Sequence, residues 1–144
     1  MHISAFVTHL HRSFLMTLAT LAALAACQQP DCDCLIPASA LVFGHVSIQS
    51  GAPVAGATLL GYAKSPNGPC DQAPDPSGLT ETAPSGQYRL ALAQAAAVES
   101  ACVFVQVRPP QGSGLRDTLI GPLRLSLRYT SPLDSVKLDV TLLP

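Results

Sequence analysis

The last quarter of the chain alternates strictly. In "LRLSLRYT", Leu123, Leu125, Leu127 and Tyr129 take turns with Arg124, Ser126, Arg128 and Thr130. In "SVKLDVTLL", Val136, Leu138, Val140 and Leu142 take turns with Lys137, Asp139 and Thr141. Successive side chains on a strand point to opposite faces, so each stretch has one apolar and one polar side. Antiparallel strands covering a single core have this pattern. The intervening "TSPLD" has the length of a hairpin connection, which predicts that the two strands pair with each other.

The same period runs upstream. Val42, Gly44, Val46 and Ile48 share one face of a strand, with Leu41, Phe43, His45 and Ser47 on the other. "GATLLGYA" and "LTET" are further strand candidates. Tyr88, Leu90 and Leu92 alternate with Gln87, Arg89 and Ala91, and Val103, Val105 and Val107 line one face of "ACVFVQVRP". Residues 91–100, "ALAQAAAVES", read as a connection between strands. Thirteen prolines and ten glycines punctuate the 144 residues, which disfavours long helices and suits short strands joined by turns. The expectation is an all-β chain with about seven antiparallel strands in a sandwich.

The N-terminus obeys another logic. Residues 1–14 carry one cation, Arg12, and no acid, and "LMTLATLAALAA" from Leu15 to Ala26 is entirely apolar or small. That run of roughly twelve residues is shorter than the ~20 of a membrane-spanning helix and matches the apolar region of a secretory signal. It ends in Leu24-Ala25-Ala26-Cys27, which resembles the lipobox of bacterial lipoproteins. The resemblance implies cleavage before Cys27, attachment of diacylglycerol to its sulfur and acylation of the new N-terminus. Two or more acyl chains anchor a protein stably, whereas one binds only marginally. Gln28 follows, where an Asp would resemble the inner-membrane retention signal of enterobacterial lipoproteins, so the outer membrane is favoured. Cleavage removes His2, His9 and His11 and leaves 118 residues with seven Lys and Arg against nine Asp and Glu. The mature net charge of −2 offers no basic footprint for nucleic acid. Residues 27–39 read as lipidated cysteine and tether, and residues 40–144 as the folded domain.

Three motifs follow in order: Val42-Phe43-Gly44-His45-Val46, Gly51-Ala52-Pro53-Val54-Ala55-Gly56-Ala57-Thr58-Leu59, and Leu79-Thr80-Glu81-Thr82-Ala83-Pro84-Ser85-Gly86-Gln87-Tyr88-Arg89-Leu90. Together they resemble the carboxypeptidase regulatory-like domain, a transthyretin-like Greek-key β-sandwich. Glu81 and one extra residue before Gly86 depart from the family's third motif. Physically, Gly44 within a strand marks a bulge or a close neighbour, Gly56 permits positive φ, and Pro84-Ser85-Gly86 forms a tight turn presenting Tyr88 and Leu90 to the core.

Related folds include enzymes. Hydroxyisourate hydrolases of transthyretin-like fold carry His and Arg residues and end in Tyr-Arg-Gly-Ser, whereas this chain ends "TLLP". Intradiol dioxygenases on a similar sandwich bind iron through two Tyr and two His, and the mature chain retains only His45, which reads as a strand residue. The chain is therefore expected not to be an enzyme and to need no cofactor or metal. The "CDC" at Cys32 and Cys34 supplies two thiolates where a structural zinc wants four ligands.

After lipidation Cys32, Cys34, Cys70 and Cys102 remain, an even number in an oxidising compartment, which reads as disulfides. Four cysteines allow three connectivities. Pairing Cys70 with Cys102 would pin the Pro-rich loop "KSPNGPCDQAPDPSG"; Cys32 and Cys34 then join each other or stay reduced. Alternatively each reaches one of the domain cysteines. Loop 64–78, with Lys64, Asn67, Asp71 and Asp75, exceeds ordinary connection length and is a candidate recognition surface. Arg124 and Arg128 share one strand face, and Arg108 and Arg116 flank "PPQGSG", forming a candidate basic surface for lipid phosphate or anionic glycan. The composite expectation is a non-enzymatic lipoprotein mediating binding or assembly at the cell envelope, with an envelope protein as partner, or alternatively a carbohydrate- or lipid-binding accessory protein.

Overall fold

The computed structural model describes residues 36–67, 69–71 and 75–144. The signal segment, Cys27 and the tether cysteines Cys32 and Cys34 lie outside the described residues. Among the described residues eight strands are formed: β1 (Ala38–Ile48), β2 (Thr58–Lys64), β3 (Gly78–Glu81), β4 (Gln87–Gln94), β5 (Val98–Arg108), β6 (Thr118–Leu127), β7 (Asp134–Lys137) and β8 (Val140–Leu142). They make two sheets. In the first, β1 lies centrally between β4 on one side and β7 and β8 on the other; the second has the order β3-β2-β5-β6.

The apolar faces read from the alternation meet between the sheets. Val42 and Val46 of β1, Leu90 and Leu92 of β4, Leu59 of β2, Val103, Val105 and Val107 of β5, Leu127 of β6 and Leu142 of β8 are almost completely buried. Gly61 of β2 lets the two layers approach closely, since a Cβ there would fall 2.2 Å from a Leu92 methyl.

Three sequence expectations need correction. First, "LRLSLRYT" and "SVKLDVTLL" do not form a hairpin. Strand β6 pairs antiparallel with β5, whereas β7 and β8 run parallel to β1 in the other sheet. The first sheet is therefore mixed, not antiparallel throughout. The chain changes sheets after β6, where Arg128 and Ser39 exchange two backbone hydrogen bonds of 2.8 and 3.1 Å. Tyr129 consequently leaves the apolar face and is 49% exposed.

Second, the described residues form eight strands rather than seven, because the last predicted strand is broken at Leu138 and Asp139. The register is unshifted across the break: Phe43 faces Lys137 before it and Val46 faces Val140 after it. The His45 N–H, which a continuous ladder would give to a neighbouring carbonyl, donates instead to Asp139 Oδ1 at 3.0 Å.

Third, most of residues 91–100 is strand. Strand β4 continues to Gln94 with Leu92 buried, and β5 begins at Val98. Alternating burial decides the conformation over the helix propensity of the alanines.

Strand β6 contains Pro122, which a central strand would not tolerate. It is an edge strand, and its register with β5 shifts opposite Phe104, between the Val103–Leu123 and Val105–Ile120 pairs. The missing proline N–H therefore interrupts no ladder on the far side.

Candidate functional site

The first and third sequence motifs meet at Gly44. Gly44 of β1 is the cross-strand partner of Tyr88 of β4. Tyr88 is buried, and its hydroxyl donates to the Leu138 carbonyl at 2.7 Å, reaching across β1 to the break between β7 and β8. An aromatic side chain lying over a strand glycine covers the backbone that the missing side chain exposes. Burial pushes the Tyr88 phenol above its ordinary range, assisted by the Asp139 charge. The turn at Pro84-Ser85-Gly86, closed by the Gly86 N–H to Ala83 carbonyl bond of 2.8 Å, brings β4 into this register. Thr82 anchors the strand end before it, accepting the Ala57 N–H at 2.9 Å and donating to the Val54 carbonyl at 2.7 Å.

This buried fixture orders the opposite, outward face of the same sheet. There Phe43 is flanked by its cross-strand partners Arg89 on β4 and Lys137 on β7. One row further along, Gln87 is paired with His45, and Asp139 receives the His45 backbone N–H. These rows, with Ser47 and the segment Thr80 to Ala83 as a rim, line an open depression of about 940 Å³.

The charges in it are not equivalent. Lys137 Nζ lies 2.8 Å from Asp139 Oδ2, so those two compensate each other. Among the described residues Arg89 makes no ion pair. The His45 ring donates through Nε2 to the Ser85 carbonyl, an atom that can only accept, so the neutral ring carries its proton on Nε2. The hydrogen bond from Lys137, then its charge and the His45 backbone N–H, hold the Asp139 carboxyl below its ordinary value of 3.8. A carboxylate with a lowered folded pKa stabilises the fold above its unfolded pKa, and that contribution is lost as pH falls through the folded value. Asp71, held low chiefly by Lys64, behaves alike. The melting temperature is therefore expected to fall as pH drops below about 4, the ordinary aspartate range. Asp139→Asn is expected to flatten part of that fall, as read from thermal melts at pH 7 and pH 3.

Loop 64–78, the candidate recognition surface of the sequence, is organised differently from this face. Lys64 at the end of β2 pairs with Asp71, while Asn67 and Asp75 are exposed. Cys70 and Cys102 form a disulfide with Cα atoms 5.6 Å apart, tying the loop to β5. The four arginines do not form one surface. Arg124 lies opposite Cys102 and donates to the Ser100 carbonyl at 3.2 Å. Arg108 lies six positions along β5, about 20 Å away at roughly 3.3 Å per residue, where it faces Asp117 at 3.9 Å. Arg116 sits beside it and uses its backbone N–H on the Leu143 carbonyl, whereas Arg128 is at the opposite end in the Ser39 crossover. Loops 64–78 and 109–114 are separated in the same way, by the length of β2 and β5.

Phe43, Arg89 and Lys137 were not among the sequence candidates. One signal existed: Phe43 is an aromatic on the non-core phase of its strand. Its neighbours become visible only once β4 and β7 are placed on either side of β1. Among the described residues no three of His, Cys, Asp or Glu are grouped to hold a metal ion.

No family model matches the chain, and no curated protein matches it in sequence. Among solved structures it is similar to chlorocatechol 1,2-dioxygenase from Pseudomonas putida, at 13% identity over 76% of this chain and 62% of that one, with a TM-score of 0.49. It is also similar to hydroxyquinol 1,2-dioxygenase from Pseudomonas putida DLL-E4, at 14% identity over 74% and 56%, TM-score 0.47. A third is 3-chlorocatechol 1,2-dioxygenase from Rhodococcus opacus 1CP, at 15% identity over 76% and 61%, TM-score 0.47. The chain spans about three fifths of the length of these proteins. The expectation that the chain is not an enzyme is corrected by this finding: the solved structures it is similar to are enzymes, and the expectation is withdrawn. At these scores the likeness assigns no reaction to this chain.

Proposed function

We propose that this chain is a lipid-anchored binding module of the bacterial cell envelope. Cys27 carries the acyl chains, the tether follows it and ends before β1 begins at Ala38, and the chain from Ala38 on forms a carboxypeptidase regulatory-like, transthyretin-like Greek-key sandwich. The anchoring part is supported by Leu24-Ala25-Ala26-Cys27 standing at the end of an apolar run of signal-peptide length. The binding part rests on one observation, the open depression on the outward face of the first sheet, where side chains from β1, β4 and β7 converge. Ligand sites are concave and carry a few convergent polar groups beside apolar surface.

The anchor is tested by metabolic labelling with an alkyne fatty acid followed by membrane fractionation. The wild-type chain is expected to take up label and to sediment with the outer membrane. Cys27→Ser is expected to lose the label and to remain uncleaved or leave the membrane. Label and membrane retention persisting in Cys27→Ser overturn the anchor.

A further inference from the structure

We propose that the depression on the outward face of the first sheet binds an acidic saccharide, seated on Phe43 with its carboxylate on Arg89. The inference rests on the reading of this face as a binding site and adds the chemical class of the ligand.

Phe43 stands in the middle of the sheet, on the side away from the core, and is 36% exposed. Neighbouring strands are roughly 4.8 Å apart, so Arg89 and Lys137 stand about that far from it on either side. The row is thus an apolar ring between two cations. Lys137 is engaged by Asp139, which leaves Arg89 as the cation of this row without an ion pair among the described residues. A guanidinium presents a planar fork of donors that matches a carboxylate through two parallel hydrogen bonds. Around this row the Gln87 amide, the Ser47 and Thr80 hydroxyls and the His45 ring supply donors and acceptors for a polyhydroxylated ligand. The Thr82 hydroxyl is spent on Ala57 and Val54 and takes no part.

Other ligand classes fit less well. An added peptide strand pairs at a sheet edge, beside β4 or β7, and leaves the face over Phe43 on the central strand β1 uncovered. A nucleic acid, or any polymer with a charge on every unit spaced as closely as phosphates, meets Glu81 and Asp139 in the same depression and a domain of negative net charge. A lipid tail would lie across four charged side chains. A pyranose ring stacks its C–H face on an aromatic and carries one carboxylate, which matches one ring and one free guanidinium. The volume of about 940 Å³ has room for more than one such unit.

The test uses the detergent-solubilised, lipidated chain, with methyl β-D-glucuronide and its neutral counterpart methyl β-D-glucoside as probes and microscale thermophoresis as readout. The glucuronide, with one carboxylate on the same ring, is expected to bind at least about tenfold more tightly than the glucoside, a difference of the size a charge-assisted pair supplies. Arg89→Gln is expected to lose that preference, Phe43→Ala to weaken both probes, and Arg124→Gln, on the other sheet, to change neither. All three positions are exposed, and circular dichroism melts verify that each variant folds. Absence of binding by the wild-type chain, equal binding of the two probes, or an Arg89→Gln variant that keeps its preference each overturns the proposal. Such a failure leaves the Cys27 anchor standing, because acyl labelling is read independently; loss of labelling with saccharide preference intact overturns the anchor alone.

Discussion

Gly44→Ala is expected to destabilise the domain by about 3 kcal/mol, near the upper end of overpacking costs in a well-packed core. A Cβ on Gly44 would lie 2.1 Å from the Leu138 carbonyl oxygen and 2.6 Å from its carbon. Those are backbone atoms, and they are held from two sides. The Leu138 N–H donates to the Phe43 carbonyl at 2.8 Å, and the Leu138 carbonyl accepts from the Tyr88 hydroxyl at 2.7 Å. Moving Leu138 to admit a methyl group costs those bonds and shifts the strand break beside Asp139. Gly61→Ala provides the control. Its nearest contact is as close, 2.2 Å, but the atom is a terminal methyl of Leu92. A side-chain end can change rotamer, so Gly61→Ala is expected to cost less, on the order of 1–2 kcal/mol. Chemical denaturation of both variants makes the comparison. Equal costs would show that proximity alone matters and that the Leu138 backbone is not fixed in place. Tyr88→Phe isolates the hydrogen bond, at about 1 kcal/mol. Combined with Gly44→Ala it is expected to cost less than the sum, because the two changes share Leu138.

The alternation of residues was sufficient to find the core. Val42, Val46, Leu90, Leu92, Val103, Val105, Val107, Leu125, Leu127, Val140 and Leu142 all lie on faces that a period of two identifies, and all are buried. Periodicity says which side of a strand faces inward but nothing about which strand lies next to it. "SVKLDVTLL" was therefore matched to its sequence neighbour, although its true partner β1 lies more than ninety positions away. The break at Leu138 and Asp139 was equally invisible, since it depends on one side chain replacing a ladder acceptor for His45. The candidate site was hidden for the same reason. Arg89 and Lys137 each read as ordinary polar-face residues, and only register brings them to either side of Phe43. In contrast, the arginines singled out from local patterns, Arg108, Arg116, Arg124 and Arg128, are spread over both ends of β5 and β6. What the motifs did carry was the close neighbour at Gly44 and the inward Tyr88, because a glycine inside a strand and an aromatic after a tight turn are local signals with non-local consequences.

Opening the Cys70–Cys102 disulfide is expected to destabilise the chain by about 3–4 kcal/mol, and the double substitution Cys70→Ser and Cys102→Ser to cost more than that. The two cysteines are 32 positions apart, and a crosslink over a loop of that length removes conformational freedom mainly from the unfolded chain. A second effect adds to it in the folded state. Cys102 is buried on β5 between Ala101 and Val103, so a serine there places a hydroxyl where a half-cystine packed. The single substitution Cys70→Ser separates these contributions, because Cys70 is only partly buried and its loss opens the crosslink without adding a buried polar group. The single variant should therefore show most of the destabilisation, and the double variant should exceed it by about 1–3 kcal/mol, the cost of burying one unpaired hydroxyl. Urea titrations of oxidised wild type, reduced wild type and both variants provide the measurement. Reduced wild type should match Cys70→Ser. Saccharide binding should persist in both variants while they remain folded, since the crosslink ties loop 65–77 to the second sheet and the depression lies on the first. Loss of binding in a folded Cys70→Ser variant would place the recognition surface on the loop and overturn its assignment to Phe43 and Arg89.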